Sequence, residues 1–378
     1  MSGFTYERQT GVYSVGEPME LQENISLAPL TTLRVGGRAR FFVGAKSVED
    51  VEGAVHLAET RGLALFVLGG GSNLVVADEG WPGLVLKIGI AGIDPDSSDR
   101  NGKAIFHVGA GELWDRFVSK AVAVGCAGVE CLSGIPGSVG GTPVQNVGAY
   151  GQEVSETIES VQVFDLKEKQ VRELCNEACG FSYRSSIFNT SESGRFIIMH
   201  VTYALTPGGE PYVEYNDLKR YFDGRDRSPS LAEVREAVRR IRARKGMLIV
   251  EGDPDCRSAG SFFKNPVLTE EQYDALQKRA AEKKLTIPSH PALEKNHKVS
   301  AAWLVEHSGF SRGYALGRAG ISSKHALAIV NRGGATAAEV IALKQQIQQQ
   351  VERIWGVRLE TEPVFVGAGD RWPVVNGQ

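Results

Sequence analysis

The chain has few of the groups that mark a metal centre or a disulfide framework. Its five cysteines (Cys126, Cys131, Cys175, Cys179 and Cys256) are odd in number and scattered through 378 residues. Cys175 and Cys179 are spaced to share a helix face. No histidine or second close pair completes a tetrahedral set around them, which argues against zinc and for reduced thiols. A basic surplus is missing too: 42 Lys and Arg stand against 45 Asp and Glu, a formal charge of −3. That leaves no positive stripe to displace counterions from nucleic acid. No apolar run approaches the ~20 residues of a membrane span. The N-terminal stretch is polar, without the basic-then-apolar order of a secretory signal. The expectation is a soluble cytoplasmic protein with no metal, no nucleic-acid partner and no membrane partner.

What is present is a globular composition in a chain too long for one average core, so two or three domains are expected. Residues 1–24 read as an irregular extension, and 32–43 as strand, glycine turn and strand. Ser47, with Asp50 three positions on, opens a helix whose apolar residues Val48, Val51, Val55 and Ala58 recur at helical spacing until Gly62. A strand at 65–68 follows, so this region is α+β. Short strands dominate from about 89 to 245 (104–108, 160–164 and 196–205), with helices at about 114–124 and 217–222 and a capped helix opening at Ser230. Further on, 269–283 and 301–308 read as helices, and Thr336 and Glu339 cap a helix that Gly356 ends. A last strand is expected over 357–366.

Two glycine-rich loops stand out. In Leu68-Gly69-Gly70-Gly71-Ser72-Asn73-Leu74 an apolar strand breaks and then resumes. Three residues without Cβ permit positive φ and let backbone amides approach a ligand, as in an anion-binding nest. A plain glycine-rich hairpin has the same composition. The second loop, Ser133-Gly134-Ile135-Pro136-Gly137-Ser138-Val139-Gly140-Gly141, favours the nest, because two such loops suit a long cofactor bearing phosphates. No Gly-Lys-Ser/Thr follows to make a Walker loop. Leu74-Val75-Val76 continues as strand where a dinucleotide fingerprint needs a helix.

Other residues have bland readings beside chemical ones. Arg184, in Ser182-Tyr183-Arg184-Ser185, carries a rigid fork of donors suited to carboxylate or phosphate, yet a surface strand would hold it equally well. Lys245 ends the helix opened at Ser230, where any cation complements the helix dipole. In Ser258-Ala259-Gly260-Ser261-Phe262-Phe263-Lys264-Asn265-Pro266, small residues give access to Ser261 while two phenylalanines shut out water. Without a Gly-x-Ser-x-Gly elbow, Ser261 suits proton donation better than nucleophilic attack. Leu359-Glu360-Thr361-Glu362 alternates like an exposed strand face. His325 opens an apolar stretch from a polar cluster, consistent with capping, core or ligand contact.

Taken in order, LGGGSNL at 68–74, SGIPGSVGGTPVQNVGAYGQE at 133–153, CGFSYRSSIF at 179–188, SAGSFFKNP at 258–266 and LETE at 359–362 resemble the UDP-N-acetylenolpyruvoylglucosamine reductase family. These flavoenzymes complete UDP-N-acetylmuramate for the bacterial cell wall, and the match runs from about residue 24 to 367. The resemblance implies an α+β fold of three domains. A FAD-binding domain of the vanillyl-alcohol-oxidase/PCMH type would span 25–88 and 89–246, with 366–378 a candidate completion of its first part. A substrate-binding α+β domain would span 247–365. Non-covalent FAD would be held by Gly69, Gly70, Gly71, Ser72, Asn73 and Leu74, by Ser133, Gly134, Ile135, Pro136, Gly137 and Gly140, and by Gln145, Asn146, Gly148 and Ala149.

The resemblance also implies a reaction. NADPH, the co-substrate, reduces FAD and leaves; UDP-N-acetylglucosamine enolpyruvate then takes much of the same site, and N5 of the reduced flavin passes hydride to C3. Arg184 would stabilise the resulting enolate, Ser261 would protonate C2, and Glu362, in its acid form, would be the remaining catalytic residue. Tyr183, Tyr215, Lys245, Asn265 and His325 would contact substrate. A monomer is expected. Pro363 departs from the family, which usually has valine after that glutamate, and the first 20 or so residues and the tail after Gly367 have no counterpart. Two other readings share part of this pattern. Another FAD-dependent oxidase or dehydrogenase of this fold would commonly tether flavin through His or Cys in the cofactor loops, and neither loop holds one, although Cys131 is close by. A non-catalytic nucleotide-sugar sensor would be expected to lack at least one of Arg184, Ser261 and Glu362, and all three are present.

Overall fold

The computed structural model describes residues 19–291 and 296–367. The expected N-terminal extension lies outside these residues up to position 18. Its last part is not irregular: β1 (Leu21–Ser26) pairs antiparallel with β2 (Arg38–Ala45). The strand β1 exposes its middle pair, so no period-two pattern marks it in the sequence. The strand expected from residue 32 also shrinks, to Arg38 onward. Leu33 and Val35 are instead buried in the core of the C-terminal unit, and Arg34 between them takes a left-handed φ of 55°.

Ser47 caps α1 (Val48–Thr60) as expected. Its Oγ accepts from the Asp50 amide at 3.2 Å, and the Asp50 carboxylate accepts from the Ser47 amide at 3.1 Å. Strands β3 (Leu65–Leu68), β4 (Leu74–Val76) and β5 (Trp81–Ile88) follow, and the first sheet runs β1-β2-β5-β3, with its last two pairings parallel. The buried face of α1 (Val51, Ala54, Val55, Ala58) covers that sheet.

A second, antiparallel sheet is built from β6 (Ile93–Arg100), β7 (Lys103–Gly109) and the strands Ile158–Asp165, Gln170–Cys175 and Phe196–Pro207. Helix α2 (Trp114–Ala123) lays Trp114 and Phe117 on Tyr203, with ring centroids 5.8 and 4.7 Å away. Val43 and Leu86 of the first sheet and Val55 of α1 share one continuous buried core with Phe106 and Tyr203 of the second sheet and Phe117 of α2. Truncating a side chain at that centre, such as Phe117→Ala, is expected to cost ~3–5 kcal/mol. Cys175 ends a strand and Cys179 sits in a 3₁₀ turn, Glu177–Cys179, so the common helix face expected for them does not form; all five thiols are free. Helices α3 (Asn216–Phe222) and α4 (Leu231–Arg244) pack together, with Leu218, Val234 and Val238 buried against Cys131 and Tyr150.

The C-terminal unit sets α5 (Glu270–Glu282), α6 (Ala301–Glu306) and α7 (Ala337–Trp355) around small antiparallel sheets. Gly356, at φ 70°, ends α7 in the left-handed cap that glycine takes without strain. The last strand is much shorter than expected, Val364–Val366 alone. Pro363 has no amide to give a ladder, and Thr361 makes only one bridge, to Phe263. Val364–Val366 runs parallel to β4, returning the chain to the first unit. The suggested completion by 366–378 lies, beyond Gly367, outside the described residues. Side chains seal the seam: Thr32 Oγ1 donates to Ser258 O at 2.7 Å, Asn331 Nδ2 donates to Arg34 O at 3.0 Å, and Asp78 accepts from the first amides of α7 at 2.7 and 3.0 Å. Among the described residues, no helix is long and apolar enough to cross a membrane.

Candidate active site

A cleft opens where these units meet, and both glycine loops form its wall. A Cβ on Gly70 would lie 2.4 Å from Gly137 Cα and from Ser138 N. Gly71, at φ +67°, would place a Cβ 2.0 Å from Leu30 O. The loops therefore touch backbone to backbone, an approach open only to glycine. Among the described residues, none accepts a hydrogen bond from the amides of Gly70, Gly71, Ser72 or Asn73. Ser138 Oγ, in the same wall, is buried and equally without a partner. Buried donors left unpaired cost ~1–3 kcal/mol each. The wall is thus short of acceptors, as a site for the phosphates of FAD should be.

The second loop is gripped from behind. The Gly134 amide donates to Asp115 Oδ1 at 2.6 Å, and Arg242 Nε donates to Gly134 O at 3.1 Å. Arg235 fixes Asp115 through contacts of 2.6 and 3.0 Å. Asn73 spans three segments, since its Nδ2 donates to Gln145 Oε1 at 3.0 Å and to Glu362 O at 3.2 Å.

Arg184 stands on a two-residue turn in which Ser182 and Ser185 exchange backbone hydrogen bonds of 3.0 and 3.1 Å. Its φ of 55° is left-handed, a conformation that costs a residue with Cβ ~1–2 kcal/mol. Asn189 Nδ2 closes the turn on Arg184 O at 3.2 Å. The guanidinium donates to Gly148 O at 2.8 Å and brings Nε to 3.3 Å from Glu362 Oε1. The Glu362 amide donates to Phe262 O at 3.0 Å, and the Lys264 amide donates to Glu360 O at 2.9 Å. Ser261 and Glu362 therefore lie on adjacent antiparallel segments beside the buried ring of Phe262. Glu362 is mostly buried rather than on the exposed strand face its alternation suggested. Burial raises its carboxyl pKa, and Arg184 and Lys264 pull the other way without cancelling the effect.

At the other end, Lys245 Nζ donates to Asp217 Oδ2 at 2.7 Å and lies 5.8 Å from the centre of the Tyr150 ring. The Tyr215 ring meets Tyr150 edge-on at 5.4 Å. His325 Nδ1 accepts from the Leu327 amide at 3.0 Å, which puts the ring proton on Nε2. Burial, aided by Lys245 and Arg312, pushes its pKa down to about 4.

Of the residues singled out in the sequence, Gly70–Leu74, Ile135, Pro136, Gly137, Gln145, Gly148, Ala149, Arg184, Tyr215, Lys245, Ser261, His325 and Glu362 line the cleft. Gly69, Ser133, Gly134, Gly140, Asn146, Tyr183 and Asn265 stand behind or beside it. Gly69 O accepts from the Lys87 ammonium, and Ser133 Oγ donates to Glu130 O at 2.6 Å. Gly140 is pressed so close to Ala110 that a Cβ would sit 2.6 Å from its methyl. Asn146 Nδ2 bridges Glu153 at 2.7 Å and Ser182 O at 3.1 Å. Tyr183 is 45% exposed beneath Lys298, whose Nζ is 3.5 Å from the ring centre. Asn265 Oδ1 accepts from the first amide of α6 at 2.9 Å. Sequence reasoning passed over Thr32, Ser138, Tyr150, Asn189, Arg242, Lys264 and the run Met247–Ile249, which line the cleft too. Ser138, Tyr150 and Lys264 lie inside segments already noted, and the apolar run after Gly246, attached to no helix or strand, was the available signal for Met247–Ile249.

Known proteins place the chain among relatives along nearly its whole length. Residues 253–366 match the family model described as the UDP-N-acetylenolpyruvoylglucosamine reductase C-terminal domain, and residues 39–173 match that of the FAD binding domain. The chain is 43% identical over 357 residues to UDP-N-acetylenolpyruvoylglucosamine reductase of Thermobifida fusca, covering 91% of this chain and 97% of the relative. To the Mycobacterium tuberculosis protein of that name it is 40% identical over 373 residues, covering 95% and 99%. The crystal structure of UDP-N-acetylenolpyruvylglucosamine reductase from Thermus caldophilus matches with a TM-score of 0.62 at 27% identity, covering 92% of this chain and 100% of that one.

Proposed function

The chain belongs to the UDP-N-acetylenolpyruvoylglucosamine reductase family, and from that premise we propose that it reduces UDP-N-acetylglucosamine enolpyruvate to UDP-N-acetylmuramate, with NADPH as electron donor. It is a FAD-dependent oxidoreductase of peptidoglycan synthesis. The amides of Gly70–Asn73, the second loop and the hydroxyl of Ser138 would hold FAD. When bound and reduced, FAD supplies the electron pair as hydride from N5 to C3 of the enolpyruvyl group.

The chain's own residues do the rest. Arg184 faces the substrate carboxylate and stabilises the negative charge that grows there as C3 gains hydride. A donor so placed is worth ~10²–10³ in rate. Glu362, whose carboxyl pKa burial raises, would in its acid form give the same carboxylate a hydrogen bond rather than a repelling charge. Ser261 gives its proton to C2, completing the addition of one hydride and one proton across the double bond. Phe262 and Phe263, both buried, keep bulk water from that carbon. Lys245, Tyr215 and the Nε2–H of His325 take the nucleoside diphosphate end.

The observation that carries this reading is the 3.3 Å pairing of Arg184 with Glu362, beside Ser261 and in the cleft walled by both glycine loops. The test is a visible absorption spectrum of the purified protein. It should be yellow, bleach on NADPH titration and recover its colour when UDP-N-acetylglucosamine enolpyruvate is added without oxygen. A colourless protein that FAD does not reconstitute, or a bleached one that this substrate leaves bleached, overturns the proposal.

A further inference from the structure

Glu130 has no solvent exposure, and among the described residues no cation pairs with it. A buried carboxylate without a cation is costly unless its lone pairs are fully used. Here they are used by three separate segments. The Gly128 amide donates to Oε2 at 2.8 Å, Gln152 Nε2 donates to Oε1 at 2.9 Å, and the Tyr212 amide donates to Oε1 at 2.9 Å. Gln152 in turn accepts from the Cys131 amide at 2.9 Å, and Cys131 Sγ donates to Tyr212 O at 3.2 Å. Both backbone groups of Tyr212 are therefore held by the segment that leads into the second glycine loop.

Tyr212 sits in a stretch with no other anchor of this kind. Between the strand Phe196–Pro207 and α3 the chain takes no regular structure, and among the described residues the backbone hydrogen bonds of residues 210–214 are those of Tyr212. Its ring covers Gly151, which at φ +88° leaves no room for a side chain: a Cβ would meet Tyr212 Cε1 at 2.4 Å. Three residues later, Tyr215 places its ring against Tyr150 at the cleft.

We infer that Glu130 is a positioning residue for substrate: by docking Tyr212 onto the approach to the second glycine loop, it sets where Tyr215 stands in the cleft. This rests on the reading of the cleft as a UDP-sugar site. Glu130→Gln keeps the shape but turns an NH₂ toward one of the three donors. In the variant without substrate, exchange of the Tyr212 amide should accelerate about tenfold while the sheet cores keep their protection. The KM for UDP-N-acetylglucosamine enolpyruvate should rise about tenfold, with kcat and flavin reduction by NADPH within about threefold of wild type. Adding Tyr215→Phe should raise KM no further, because both changes act through one group.

Unchanged exchange of the Tyr212 amide, or a KM effect fully additive with Tyr215→Phe, overturns the inference. If Glu130→Gln does not fold, Cys131→Ala releases the Tyr212 carbonyl alone and should quicken exchange of the Tyr212 amide while the sheet cores keep their protection. A wild-type enzyme inactive on the UDP-sugar refutes the proposed function, and the exchange result still decides whether Glu130 docks this segment.

Discussion

Arg184 Nε lies 3.3 Å from Glu362 Oε1 while the same guanidinium donates to Gly148 O at 2.8 Å. One planar group thus ties the second cofactor segment to the C-terminal strand region, and only a fork of donors in fixed geometry reaches both. Arg184→Lys is therefore expected to behave nearly as badly as Arg184→Ala. Each should lower kcat/KM for the UDP-sugar by ~10²–10³ while FAD stays bound. Steady-state kinetics with flavin absorbance as the control make the check, and a lysine variant within a few-fold of wild type would show that charge alone suffices.

Ser261 separates the two half-reactions. Reduction of the flavin by NADPH requires no proton at C2, whereas reoxidation by the enolpyruvyl group does. Ser261→Ala should leave the first nearly intact and slow the second by ~10²–10⁴. Stopped-flow absorbance resolves both phases, and equal losses in the two would remove Ser261 from the role of proton donor.

What could be read in advance was mostly local. The capping boxes at Ser47, Ser230 and Thr336 are formed within four residues each, so their helices were legible from spacing. Strand β1 was not, because its place is fixed by Arg38–Ala45 rather than by any pattern of its own. The terminal strand was overdrawn because its apolar alternation continues through Pro363. The environment of Glu362 was hidden for a similar reason: it is set by Phe262 and Arg184, both far away in the chain, and no local pattern encodes that. Asn265 belongs to a segment that named the family, yet its carboxamide is used on α6. Membership of a motif identified the neighbourhood but not which way each side chain turns.

The contact between the two glycine loops is tested by the smallest possible change. Gly70 is not at positive φ, so alanine fits its backbone, but the added methyl would lie 2.4 Å from Gly137 Cα and Ser138 N. The loops must part, and the free amides that face the cleft lose their common geometry. Gly70→Ala should purify with little or no flavin and bind added FAD at least ~10-fold more weakly, while its far-UV circular dichroism stays native. A yellow variant with wild-type affinity would show that these loops do not hold the cofactor.

His325 makes a pH prediction of definite sign. Its pKa falls from 6.5 to about 4 in the folded protein, first through burial and then through Lys245 and Arg312. The unfolded chain therefore binds the proton more readily than the native one between those two values, and stability is lost as pH drops through that window. His325→Gln removes the titration yet retains an acceptor for the Leu327 amide and a donor for the cleft. Relative to wild type, its Tm should improve steadily as pH falls from 6.5 toward 4 and stay level above. Nitrogen-resolved NMR of wild type should show the His325 ring neutral, protonated at Nε2, well below pH 6.5. A His325 resonance titrating near the ordinary value, or a Tm difference flat across the window, would mean that burial does not hold the ring neutral there.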